Sequence, residues 1–254
     1  MEKMIHLAIQ YLATVSKSFL EPKADDSHTN LGFSLDDGAI YSRMLDGKQT
    51  YLCLSYKKFS LEWITNKEVI DELPLDGKTH KEIVTWINEK ALASFGKATY
   101  TYDLHYELPY DPIQDDFTFV LDNKSKLDEL VHCRILAQLV LEDFLKKSTL
   151  VSDIRIWPHH FDTGAFATLP DHPEIAIGLG LAIPDSLIDD HYFYIAAYRG
   201  HDSIQVTDFK PLQYGKWVQD GFTGAVLGTK NLTREEGLAF FLQALATYTA
   251  HLSN

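Results

Sequence analysis

The chain has 254 residues, 45% hydrophobic and 23% charged, a globular composition that excludes a disordered or low-complexity protein. Its formal net charge of −13 argues against a nucleic-acid partner, because affinity for a phosphate backbone depends on Lys and Arg releasing counterions. Cys53 and Cys133 are too few for a disulfide scaffold or a thiolate zinc set, which leads to the expectation of a reduced, cytoplasmic setting.

The first predicted element is an amphipathic helix over "MEKMIHLAIQYLATVSKSF", with Ile5, Ala8, Leu12, Val15 and Phe19 at helical spacing. His6 and Gln10 interrupt the apolar run that a signal peptide needs, and no segment reaches the roughly 20 apolar residues of a membrane span. Four strands of an antiparallel meander follow in "TNLGFSL", "AIYSRML", "TYLCLSY" and "FSLEWI", punctuated by the turn sequences "DDG" and "DGK". Thr79 and Glu82 form a capping box for a helix carrying Ile83, Trp86 and Ile87. "KATYTYDLHYEL" returns to strand composition, and the prolines and acids of "PYDPIQDD" break it.

Beyond this break the order repeats. Ser125 and Asp128 are placed to cap a long helix, strands are expected in "FDTGAFATL", "EIAIGLGLA" and "HYFYIAAYR", and Thr233 with Glu236 caps a closing helix. The spacing His28, Asn30, Gly32 is echoed by His160, Asp162, Gly164. The expectation is an α+β protein of two similar units, each a helix, an antiparallel meander and a helix, related by internal duplication. Residues 1–110 form the first, 111–124 a linker and 125–254 the second, packed as one globular body.

The stretch "RIWPHHFDTGAFATL" resembles a strand motif of an uncharacterised bacterial family, in which an aromatic and a histidine or aromatic precede Phe-Asp and small residues. "YFYIAAYR", "GFTGAVLG" and "AFFLQALATYTAHL" extend the likeness in order, most clearly after about residue 125. It departs in the first half, where this chain has "DDSHTNLGF" in place of a tryptophan-rich turn. The family has no established activity, so the resemblance implies fold and order and no chemistry.

If Trp157 to Gly164 is extended, His160, Asp162 and Gly164 share one face while His159, Phe161 and Thr163 share the other. His160 is then a candidate general base with Asp162 orienting its second ring nitrogen, and the same donors suit Zn²⁺ or Mn²⁺. A duplicated cleft adds His28, Asn30, His159, Tyr192 and Tyr194 as candidate ligand-binding residues, with converging tyrosines suiting a flat or sugar-like ligand. The competing reading is structural: a His and an Asp beside a turn bond its backbone groups. Gly178 and Gly180 lack the third glycine of a dinucleotide loop, and "GFTGAVLGTKN" lacks the Gly-Lys-Ser/Thr order of a phosphate loop and reads as a mobile loop. Two functions remain open: a small-molecule-binding protein, or a hydrolase-type enzyme using His160 and Asp162 with or without a metal. No cofactor signature, ligand identity or oligomeric state can be read.

Overall fold

The computed structural model describes residues 1–96 and 99–253. These residues contain four helices and two antiparallel sheets, so the α+β class holds. The chain forms two compact units, Met1–His132 with Ile156–His160, and Cys133–Arg155 with Phe161–Asn254. Residues 111–124, expected as a linker, are bonded into the first: the Gly77 N–H donates to the Phe119 carbonyl at 2.8 Å, and the Phe119 N–H donates to Lys78 at 2.9 Å.

In the first unit, helix α1 (Glu2–Phe19) precedes a meander of β1 (Gly32–Ser34), β2 (Ala39–Tyr41), β3 (Tyr51–Ser55), β4 (Ser60–Thr65) and β5 (Glu68–Pro74), paired in that order. The sequence reading missed β5, whose "EVIDELP" is acid-rich and poor in strand formers. Asn66 and Lys67, at φ 53° and 68°, make the two-residue turn that joins it to β4. Helix α2 (His80–Phe95) starts at the expected capping box, with the Glu82 N–H donating to Thr79 and the Thr79 N–H donating back to Glu82. Those bonds and Lys78 hold the Glu82 carboxyl down to about 2.

Helix α1 departs from an amphipathic surface helix, because every residue from Ile5 to Ser16 is buried. Burial on all sides means that its polar stripe, His6, Gln10 and Thr14 at successive spacings of four, must find partners inside the protein. Residues 99–111 supply them. This segment alternates inward and outward at every residue, with Tyr100, Tyr102, Leu104, Tyr106, Leu108 and Tyr110 turned in. Its composition is that of a strand, yet it joins no sheet among the described residues; Lys97 and Ala98, the start of the expected strand, lie outside them. Its bonds run to α1 instead, including Thr101 N–H to Ser18 Oγ at 3.2 Å and Lys17 Nζ to Asp103 at 2.7 Å.

The second unit contains most of helix α3 (Lys124–Lys147), whose first turn is capped by Asn123 and not by Ser125: the Lys126 N–H donates to Asn123 Oδ1 at 2.9 Å. Its sheet has the order β11–β12–β9–β8–β7–β6, with β10 on β9. The strands are β6 (Arg155–Ile156), β7 (Thr163–Leu169), β8 (His172–Ala182), β9 (Tyr192–Arg199), β10 (Asp202–Ser203), β11 (Lys216–Val218) and β12 (Gly224–Gly228). The supposed mobile loop "GFTGAVLGTKN" thus contains a strand, held by Ala225 opposite Ile195. Helix α4 (Arg234–Leu252) begins at the expected Thr233–Glu236 capping box. Its Phe240, Phe241 and Ala244 pack with Val140, Leu141 and Phe144 of α3 over Leu179, Phe193 and Ile195. The other face of this sheet has a floor of Gly164, Gly178, Gly180, Ala176 and Ala196, on which Tyr194 and Tyr198 lie.

Candidate functional site

The stretch around His159 is not the strand that was expected. Ile156 bridges Leu31, a turn occupies Pro158–His160, and Phe161 adopts φ +66° before β7 begins at Thr163. Left-handed backbone at a bulky residue reverses the chain locally, so face alternation does not apply. His159 and His160, placed on opposite faces by that alternation, instead have rings 4.2 Å apart. Pro158 works through its carbonyl, which accepts from His6 Nε2 and from Gln10 Nε2, each at 2.9 Å.

These two bonds tie the turn to the buried stripe of α1. Gln10 Oε1 accepts from the Tyr106 hydroxyl at 2.7 Å, His6 Nδ1 lies 3.3 Å from the Tyr110 hydroxyl, and Thr14 Oγ1 lies 2.9 Å from that of Tyr100. The Tyr106 ring then contacts both His159, at 5.5 Å, and His105, at 4.8 Å. His105 Nε2 is 2.8 Å from Asp26, and the other oxygen of Asp26 is 4.0 Å from His28 Nδ1. His28, His159 and His160 are therefore linked through Asp26, His105 and Tyr106, three residues the sequence reading did not single out. Burial and the neighbouring His160 and His105 lower the His159 pKa. The row is extended: among the described residues no three His, Cys, Asp or Glu side chains converge as a metal-binding group. Asn30 is buried one residue before the Leu31 bridge.

Beside this network lies a cleft of about 540 Å³. Its walls include Leu7 of α1, the rings of Tyr102, Tyr106 and Tyr110, and Leu104 and Leu108. The Tyr102 hydroxyl is buried with no hydrogen-bond partner among the described residues. The Tyr102 ring stands edge-on to His80 at 4.6 Å, and His80 Nδ1 is 2.7 Å from the Tyr11 hydroxyl. A wider hollow of about 760 Å³ lies over the face of the first sheet that carries Tyr41 and Tyr51. Several of its polar groups already have protein partners: Asp37 accepts from Tyr41 at 2.9 Å and Ser34 at 2.8 Å, and Lys58 bonds Glu62 and Glu72. The smaller cleft has the volume and the mixed apolar and phenolic lining of a ligand pocket.

Asp162, Tyr192 and Tyr194 belong to the second unit and gather around a different core. Arg134, buried on α3, donates to the Phe161 carbonyl at 3.1 Å and to Thr163 Oγ1, and its guanidinium lies 4.2 Å from the Phe161 ring centre. This clamp holds the left-handed residue and presents the Asp162 carboxyl to the Tyr194 hydroxyl. Gly180 makes the arrangement sterically feasible, since a Cβ there would lie 2.5 Å from the Thr163 carbonyl oxygen and 3.1 Å from the Tyr194 hydroxyl. Burial pushes the Asp162 carboxyl up to about 7; the Tyr194 hydrogen bond and the Arg134 charge oppose the rise, and the Asp185 charge adds to it. Asp185 in turn accepts from the Tyr192 hydroxyl at 2.7 Å.

No protein-family model, curated protein or solved structure matches the chain. The signal for Tyr102 and Tyr106 lies in the alternation of "YTYDLHYEL", within the expected strand, whereas Tyr110 falls in "PYDPIQDD", the stretch expected to break it. Arg134 carried no sequence signal, since it acts through neighbours that only the fold supplies, and Asp185 in "IPDSLIDDHYFY" reads from sequence mainly as a solvated loop charge.

Proposed function

We propose that the protein binds a small organic molecule in the tyrosine cleft of its first unit. The observation that carries this reading is the cleft itself: three tyrosine rings and three leucines around about 540 Å³, two of the phenols anchored by α1 and a third buried without a partner. The anchoring preorganises the walls, which lowers the ordering cost of binding. A thermal-shift screen of neutral and charged metabolites against wild type and Leu104→Trp tests it. Stabilisation of wild type that disappears in the filled variant is expected; stabilisation that survives the filling places the ligand elsewhere.

A second reading, hydrolase-type acid–base chemistry at Asp162, is favoured by a carboxyl that titrates near neutrality beside a clamped, left-handed residue. Its test is turnover of a panel of activated esters and phosphoesters, with Asp162→Asn abolishing the activity while circular dichroism is unchanged. A cytoplasmic location is part of the proposal and is supported by a cysteine count of only two, Cys53 and Cys133, with no disulfide between them. Membership of the uncharacterised bacterial family rests on "RIWPHHFDTGAFATL", and internal duplication on the shared order of helix, antiparallel strands and helix.

A further inference from the structure

We infer that the ligand of the tyrosine cleft is a small organic cation carrying an ammonium group. This inference rests on the cleft being the binding site. Its lining includes three carboxylates, Asp103, Glu107 and Asp111, and no basic side chain. Lys17 neutralises Asp103 at 2.7 Å, whereas Glu107 and Asp111 have no ion-pair or hydrogen-bond partner among the described residues. An anion would meet this uncompensated charge within a few ångströms, and a cation would relieve it.

The tyrosines point the same way. Because Tyr106 and Tyr110 direct their hydroxyls at Gln10 and His6, those oxygens already have partners, leaving the rings to line the cleft. A neutral polyol gains only hydrogen bonds here, while an ammonium group is attracted both by the carboxylates and by the electron-rich ring faces. The protein already holds one cation in this manner: Lys3 Nζ lies 5.2 Å from the centre of the Tyr110 ring. The ligand extends that pattern to the neighbouring rings, with Glu107 and Asp111 at the mouth supplying longer-range attraction.

The test is calorimetric titration of the full chain with choline, with its uncharged carbon isostere 3,3-dimethyl-1-butanol, and with a tripeptide containing trimethyllysine. The two cations present the same group from a free metabolite and from a side chain, and the tighter one identifies the source. At least one cation is expected to bind about tenfold or more tightly than the isostere. Affinity should fall several-fold with added salt, and the Glu107→Gln/Asp111→Asn variant, altered only at exposed positions, should lose most of that salt dependence. Equal binding of the isostere overturns the cation and leaves the cleft standing. So does failure of both cations when a neutral compound from the screen binds wild type and not Leu104→Trp. If nothing binds in the cleft at all, both readings fall together.

Discussion

The first unit partners the buried polar stripe of its helix α1: Thr14, Gln10 and His6 meet the hydroxyls of Tyr100, Tyr106 and Tyr110, and Gln10 and His6 also reach the Pro158 carbonyl. The second surrounds its main core with hydrocarbon and places a carboxyl with a strongly raised pKa, Asp162, just before β7, where Arg134 grips the adjacent backbone. The difference has a consequence for pH. In the first unit burial lowers the pKa of His159 and of His80, so the folded state holds their protons less tightly than the unfolded chain does. Their contribution is full above the ordinary histidine value of 6.5 and is lost as pH falls from there through their lower folded values. In the second the folded state holds the Asp162 proton more tightly, so stability is greatest below 3.8 and declines as pH rises toward about 7. Acid weakens one region and base the other.

The contrast is broken most sharply at Arg134. Removing the guanidinium takes a charged donor from the Phe161 carbonyl and the Thr163 hydroxyl and loosens the left-handed Phe161, so Arg134→Ala should cost about 3–5 kcal/mol, read from urea unfolding followed at Trp217. A loss below about 1 kcal/mol would show that the clamp is incidental. Next is the titration of Asp162: between pH 4 and 8 the second unit should lose up to roughly 4 kcal/mol from this group, the equivalent of its rise from 3.8 to about 7. Asp162→Asn should flatten that slope, and an unchanged slope would assign it to other groups. The smallest effect concerns the first unit's network. Gln10→Leu leaves the Tyr106 hydroxyl without its acceptor while His6 still serves Pro158, a cost of about 2 kcal/mol. Because the variant also loosens a cleft wall, it should weaken ligand binding more than its stability loss alone accounts for.

Local chemistry was legible where a few neighbouring residues decide the outcome. The two Thr-x-x-Glu boxes start helices because donors and acceptors three residues apart satisfy one another without help from the rest of the chain. The period-two pattern of residues 99–111 was equally readable as extended chain, but not its destination: alternation records that one side is buried and says nothing of whether a strand or a helix buries it. The same limit hid the burial of α1, whose His6 and Gln10 look like solvent-facing residues until the tyrosines that satisfy them are known. Of the candidate residues, His159, His160 and His28 meet through Asp26, His105 and Tyr106, from distant parts of the sequence. Phe161 gave no warning of its positive φ, because a tertiary clamp enforces it and no glycine or asparagine marks the position.

The measurement closest to the central claim is the carbon-detected ring spectrum of the protein's 13 tyrosines during titration with choline. Saturable shifts concentrated at Tyr102, Tyr106 and Tyr110 are the result expected from a ligand in the first unit's cleft. Shifts at Tyr41 and Tyr51, or a spectrum that does not change while the protein binds a ligand detected by calorimetry, would contradict it.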